Sequence, residues 1–301
     1  MKDLADVQSG SPKHYISIGK VGVRNVRVPL NIKRGENVNH ILADIESYVD
    51  LPPGRKGADM SRAVEAINSI ALDRKDEISI ENVTLEIARD TLKRFTYSEK
   101  CNVSLKTELF AESASRSGRK SFVSYNLESS TILHRNGNLK QKIGVEFLGM
   151  NACPCAMESA RAIISDSHPE AEEFLKEIPV ISHNQRNRVK ISLEMEGEIQ
   201  AEALRLIEIG ESVVNGSLLP VLKRRDEGEL VVGAHMNPMF VEDIVREIAS
   251  RLLKEMGIQD DTVVSISSES YESIHPHNAC AQIESTAGDL RKSILNGIAG
   301  N

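Results

Sequence analysis

Residues 136–156 read NGNLKQKIGVEFLGMNACPCA. Three signals follow one another in this stretch. Asn136-Gly137 is a hairpin-turn dipeptide. Ile143, Val145 and Phe147 alternate along a strand expected over Lys142–Gly149. Cys153-Pro154-Cys155 then sets two of the four cysteines around a proline, ahead of a helix expected over Met157–Asp166. Pro154 is expected to turn the backbone away from helix and expose one thiol.

Upstream, Val26, Val28, Leu30 and Ile32 give one apolar strand face. Pro29 lacks a ladder donor and marks that strand as an edge or a bulge. A second strand spans 40–51. A helix opens near Met60 with Ala63, Val64, Ile67 and Ile70 on one face, and another runs from Ser79, its expected cap, to Phe95. Strands are expected near 101–113 and 121–134. Downstream come further helix after Pro169, a strand through Val189, Ile191, Leu193 and Met195, helices near 200–215 and 238–256, and strands near 262–274 and 279–285. Asn237 and Pro238 are the expected cap and first residue of the 238–256 helix. The tail from Ala287 reads as peripheral. The order predicts α+β with antiparallel hairpins, in two tandem units of paired strands around two helices. The expected division is a flexible lead-in at 1–12, a first unit at 13–136 and a second at 137–301 that carries most of the site residues.

At 301 residues the chain can bury a sizeable core. A net charge of −7 argues against a general nucleic-acid or anionic-membrane binder. No apolar run approaches the roughly 20 residues of a membrane span. The polar N-terminal residues show no signal-peptide pattern, so a cytoplasmic location is expected, with cysteines as free thiols or ligands.

Six clusters carry candidate chemistry. Cys-x-Cys is neither a redox Cys-x-x-Cys nor half of a four-thiolate zinc site. His183 stands among Ser182, Asn184, Gln185 and Arg186, where Arg186 and Arg188 offer forked donors to phosphate. Lys223-Arg224-Arg225-Asp226-Glu227, by itself, reads as a solvated charged turn. Glu242 falls near a helix start, where the dipole favours a carboxylate, and a guanine edge offers such a group two N–H donors. His275 and His277 flank Pro276 at the end of an alternating strand, which an ordinary strand end does not require. Lys56-Gly57 with Ser61 and Arg62 puts a hydroxyl and cations at a helix start, a place that suits anions; it is not a Walker A loop.

These residues, in this order, resemble the GTP cyclohydrolases of the type IB family, and within it the archaeal methanopterin-pathway branch. The resemblance covers nearly the whole chain. It rests on Asp6-Val7-Gln8, Val21-Gly22-Val23, Val49-Asp50-Leu51-Pro52, Lys56-Gly57 with Met60-Ser61-Arg62, Cys153-Pro154-Cys155 and His183-Asn184-Gln185-Arg186. It continues through Lys223-Arg224 with Asp226-Glu227, Asn237-Pro238 with Phe240-Val241-Glu242-Asp243, and Glu272-Ser273-Ile274-His275 with His277. One position departs: the family has histidine before Met-Ser-Arg, and this chain has Asp59.

The resemblance implies a tunnelling fold with two units in tandem, a homotetramer with sites at subunit interfaces, and GTP as substrate. It implies a divalent metal, Fe(II) foremost and Mn(II) or Zn(II) otherwise, on Cys153, His183, Glu227 and His275. Cys155 and His277 stay open as rivals for two of those places. Glu242 matches the purine anchor. His183 and His275 or His277 are the proton-moving candidates, and Arg62, Ser61, Arg186, Lys223 and Arg224 are the remaining substrate contacts. The implied product is 7,8-dihydroneopterin 2′,3′-cyclic phosphate with formate and diphosphate released; the folate-type alternative is the triphosphate. A thiol-dependent NADPH reductase of the same fold and a non-catalytic pterin binder are the competing classes.

Overall fold

The computed structural model describes residues 6–34, 37–73, 79–216 and 218–299; residues 1–5 of the expected lead-in lie outside them. Within it the Gln8 and Gly10 carbonyls accept from the Gly57 and Lys56 N–H groups. The strands are β1 (Ile18–Arg34), β2 (Asn37–Leu51), β3 (Lys100–Ala114), β4 (Lys120–His134), β5 (Leu139–Ala152), β6 (Asn184–Glu196), β7 (Val263–Ser270) and β8 (Ala279–Thr286). The helices are α1 (Met60–Asp73), α2 (Ile80–Arg94), α3 (Pro154–Ser167), α4 (Glu172–Glu177), α5 (Ala203–Glu211), α6 (Arg224–Met236), α7 (Val241–Glu255) and α8 (Ala287–Ala299).

The expected layout of two tandem sheet-and-two-helix units is corrected here. The strands form one eight-stranded sheet in chain order, β1 to β8. The reason lies in the stretch quoted first. Gly137 takes φ +95°, and His134 N–H donates to Asn138 O at 2.8 Å, so Asn136-Gly137 closes a tight hairpin. Such a turn pairs its flanking strands instead of parting two sheets, and β4 and β5 are neighbours.

By compactness the chain has two interleaved units. The first takes the residues up to Leu109 with Asn126–Gly144 and Glu194–Gln200; the second takes Phe110–Tyr125, Val145–Leu193 and the chain from Ala201. In the first unit, β1 is the end strand of the sheet order, which is where Pro29 is tolerated opposite Leu42. The β1–β2 register shifts between Val23 and Val26, where Asn25 takes φ +57° as an irregular ladder requires. Ile45, Ile67, Leu85, Ile87, Phe95 and Leu105 are fully buried, each contributing about 1.5–3 kcal/mol of burial. Ser79 does precede α2, yet its hydroxyl makes no cap bond and has no partner among the described residues.

The second unit packs α7 through Ile244, Ile248 and Leu252. A Cβ on Gly210 would collide with Phe147 and one on Gly149 with Val214, so both glycines are set by close packing. Arg161 ties α3 to the segment beyond it, donating to the carbonyls of Leu175 at 2.9 Å and Ile178 at 3.4 Å. Three boundaries differ from expectation. Phe240, not Asn237, is the cap of α7, and Asn237 ends α6. The tail from Ala287 is a helix anchored by a fully buried Ala287. The charged run at 223–227 is the first turn of α6 rather than a loop; this helix buries only Asp226 and Ala234, so it has no apolar stripe to read.

Candidate active site

β5 ends at Ala152, and Cys153 becomes the N-cap of α3 in extended conformation, φ −79° and ψ 119°. Pro154 therefore starts the helix, the reverse of its expected effect. Its fixed φ and missing N–H suit the first helical position. The Cys153 sulfur accepts from Ala156 N–H at 3.4 Å and is half-buried, whereas Cys155 is exposed. Two bonds join Cys153 to the chain ahead of β6: Ser182 Oγ donates to Cys153 O at 2.6 Å, and Cys153 N–H donates to His183 O at 3.3 Å. The backbones of Cys153 and His183 are thus joined.

The imidazole of His183 is held from one side. Its Nδ1 is 2.7 Å from Gln185 Oε1, 3.4 Å from Ser273 Oγ and 3.7 Å from Glu272 Oε2. Amide and carboxylate oxygens only accept, so Nδ1 carries the proton and Nε2 presents its lone pair. This is the arrangement by which an outer partner orients a metal-binding or basic histidine. Gln185 and Glu272 were absent from the expected site. The alternation Ile266, Ser268, Ser270, buried at each position, points to Glu272 when carried one step past β7.

The other expected residues are placed as follows. His275 and His277 lie in the exposed loop after β7, their rings stacked at 5.1 Å and 14°. Glu227, Lys223 and Arg224 are exposed at the start of α6. Their neighbour Asp226 is the buried one. It accepts from Ser117 Oγ at 2.6 Å, Ser117 N–H at 3.0 Å and Lys223 N–H at 3.0 Å, and these bonds, the Ser117 hydroxyl first, hold its carboxyl down at about 2. Glu242 is exposed in the first turn of α7. Arg186 is exposed, its guanidinium 5.9 Å from the Tyr271 ring centre. Ser61 and Arg62 belong to the first unit. There Asp59 accepts from Arg55 at 2.9 Å and Tyr97 at 3.3 Å and pairs with Arg62 at 3.2 Å. The departure at Asp59 thus restrains the arginine expected to meet phosphate.

Among the described residues no three His, Cys, Asp or Glu side chains are gathered to hold a metal. Cys153 and His183 fit one in donor type and come together through their backbones. Glu227 and His275 are not drawn against them, so the expected set of four is incomplete within one chain. Among the described residues, buried polar atoms without a partner include Asn184 Nδ2 and Asn187 Nδ2 on β6, Ser270 Oγ at the end of β7 and the Tyr271 hydroxyl just beyond it.

Residues 4–281 match the family model of type I GTP cyclohydrolase folE2. The GTP cyclohydrolase MptA of Thermoplasma acidophilum is 39% identical over 98% of this chain and all of its own length. The protein of that name from Thermoplasma volcanium is 40% identical over 98% of this chain and 99% of its own. That from Methanococcoides burtonii is 35% identical over 97% of each. Among solved structures, the uricase of Bacillus fastidious superposes with a TM-score of 0.51 at 8% identity, covering 94% of this chain and 97% of its own. A urate oxidase of Bacillus sp. TB-90 superposes with a TM-score of 0.52 at 10% identity, covering 89% and 100%. The fold is thus of the urate-oxidase layout. No described helix is long and apolar enough to cross a membrane.

Proposed function

The chain belongs to the type I GTP cyclohydrolase family, and from that premise we propose that it opens the imidazole ring of GTP in pterin biosynthesis. The product we assign is 7,8-dihydroneopterin 2′,3′-cyclic phosphate, with formate and diphosphate released. The methanopterin-type relatives support that choice. The observation that carries the reading is the junction of Cys153 with a His183 held at Nδ1 by Gln185.

His183 performs proton transfer or ligation through Nε2, since Gln185 and Glu272 commit Nδ1. Opening the ring requires water to attack C8 of guanine and a second hydrolysis to free formate. Glu242, at the positive end of α7, accepts from the guanine edge. Arg186, Lys223, Arg224 and Arg62 answer the triphosphate charge. Cys153 and His183 are the two donors this chain brings together for a divalent cation, Fe(II) foremost with Mn(II) or Zn(II) as substitutes. A cation so bound would supply a nucleophilic water at neutral pH. Glu227 and His275 would complete the set on assembly of copies, in a homotetramer with sites between subunits.

The test is anaerobic incubation of the purified protein with Fe(II) and GTP, with products weighed by mass spectrometry and formate assayed. Cyclic phosphate with formate is expected. A triphosphate pterin would move the protein to the folate-type reaction, and absence of formate with Fe(II), Mn(II) and Zn(II) would overturn the reading.

A further inference from the structure

His235 sits on α6 with both ring nitrogens against oxygen. Nδ1 is 2.8 Å from the carbonyl of Val231, one turn back, and Nε2 is 3.3 Å from the carbonyl of Ser182. Both oxygens can only accept. A neutral imidazole has one N–H and satisfies one of them; an imidazolium has two and satisfies both. The contact to Val231 is the shorter, so a neutral ring keeps its proton on Nδ1 and the Ser182 bond is the one lost.

The Ser182 carbonyl is where such a bond matters. The same residue donates its hydroxyl to Cys153 O, and the next residue accepts from Cys153 N–H. On α6, Glu227, Val231 and His235 follow at four-residue steps and share one face. We propose that His235 is a positioning residue that clasps α6 to the Ser182–His183 segment through both ring nitrogens, and so sets how that segment stands against Cys153. The proposal rests on the reading of Cys153 and His183 as the reactive pair.

The ionisable groups to either side in the chain are Glu227 and Glu229 on α6 itself and Glu242 and Asp243 on α7, with His183 next to Ser182 on the opposing segment and Cys153 bonded to both. Among the described residues none of these is hydrogen-bonded to, or paired with, the His235 ring. The second hydrogen bond therefore depends on the proton count of the His235 ring itself.

The clasp is read by hydrogen exchange of the 182–186 amides in the full chain loaded with Fe(II), at pH 6 and pH 8.5, corrected for the intrinsic rate. Three proteins are compared: wild type, His235→Gln and His235→Phe. A glutamine places an amide nitrogen where Nε2 stands and donates to Ser182 at any pH. Wild type is expected to lose about tenfold in protection between the two conditions, His235→Gln to stay protected at both, and His235→Phe to be unprotected at both. In turnover, kcat of wild type falls over the same interval, that of His235→Gln is flat, and that of His235→Phe is flat and about tenfold lower, with KM for GTP unchanged. Equal protection in wild type and His235→Phe at both pH values would overturn the clasp. Should His235→Phe not fold, parallel pH dependence in wild type and His235→Gln overturns it instead. A wild type that releases no formate refutes the proposed reaction, while exchange still decides the clasp.

Discussion

Each unit buries a group of polar side chains, and the two groups are built differently. In the first unit, Thr84 donates to Glu81 O at 3.0 Å and takes bonds from Thr131 at 2.8 Å and Ser129 at 3.1 Å. Gln141 donates to Glu81 O and to Thr131, each at 3.1 Å, and accepts from Ile199 N–H at 2.9 Å. The knot is closed, linking α2 to β4 and β5. In the second unit, Ser268 donates to Asn187 at 2.7 Å, and there the chain of bonds stops. Asn187 Nδ2 and Ser270 Oγ, in residues exposed by 0% and 1%, have no partner among the described residues, and Gln185 on β6 with Asn187 spends its oxygen on His183. A buried polar group costs free energy unless it is bonded. The closed knot is explained by stability alone; the open one lies on the strand whose Gln185 holds His183.

If that contrast is sound, substitutions in the second unit should cost activity and those in the first should cost stability. The largest effect is expected at the reactive pair. Cys153→Ala and His183→Ala each lower formate release by about a thousandfold, with circular dichroism and the thermal midpoint unchanged; wild-type turnover in a variant shown to lack metal would sink the assignment of Cys153. Gln141→Leu leaves Ile199 N–H, Glu81 O and Thr131 short of a partner and should cost about 2–3 kcal/mol in urea unfolding with kcat intact. A fall in kcat at full folding would erase the contrast from the other side. Gln185→Leu removes the group that orients His183 and should cost about 10- to 100-fold in kcat or metal affinity. Metal titration and kinetics at equal folded fraction check it.

Asp226 tests stability within the second unit. Its carboxyl, ordinarily at 3.8, is held at about 2 in the folded chain. A depressed carboxylate stabilises above its unfolded value, and that contribution fades as pH falls towards the folded value. Wild type should therefore exceed Asp226→Asn in urea midpoint at pH 6, with the gap closing between pH 4 and pH 2. A gap constant over that range would mean the Ser117 bonds are not what lowers the carboxyl. The smallest effect is assigned to Ser270→Ala, within about 0.5 kcal/mol in unfolding, because no bond is lost. A cost above about 1 kcal/mol would show that the hydroxyl has a partner after all, and the second knot would then be closed too.

Much of this was legible from local pattern. Period-two alternation marked β1, β5, β6 and β7 and three- and four-residue spacing marked α1, α2 and α7, because a half-buried strand or helix repeats its environment at those periods. Asn136-Gly137 was legible as a turn, but not as the reason for one sheet. α6 was not legible, since a helix that buries only Asp226 and Ala234 has no stripe. Pro154 was misread because proline breaks a helix in its middle and opens one at its start, and the difference depends on where β5 stops.

The sequence by itself determined most of the element order, α6 and α8 apart, and the family, because these follow from local periodicity and from motifs in a fixed order. Only the tertiary structure decided that the strands run as one sheet, that Gln185 and Glu272 hold His183 by Nδ1, and that His235 reaches the Ser182 carbonyl. The Glu272 and His235 contacts are meetings of residues far apart in the chain, set by strand pairing and helix packing, and no local pattern records which distant partner a donor will face.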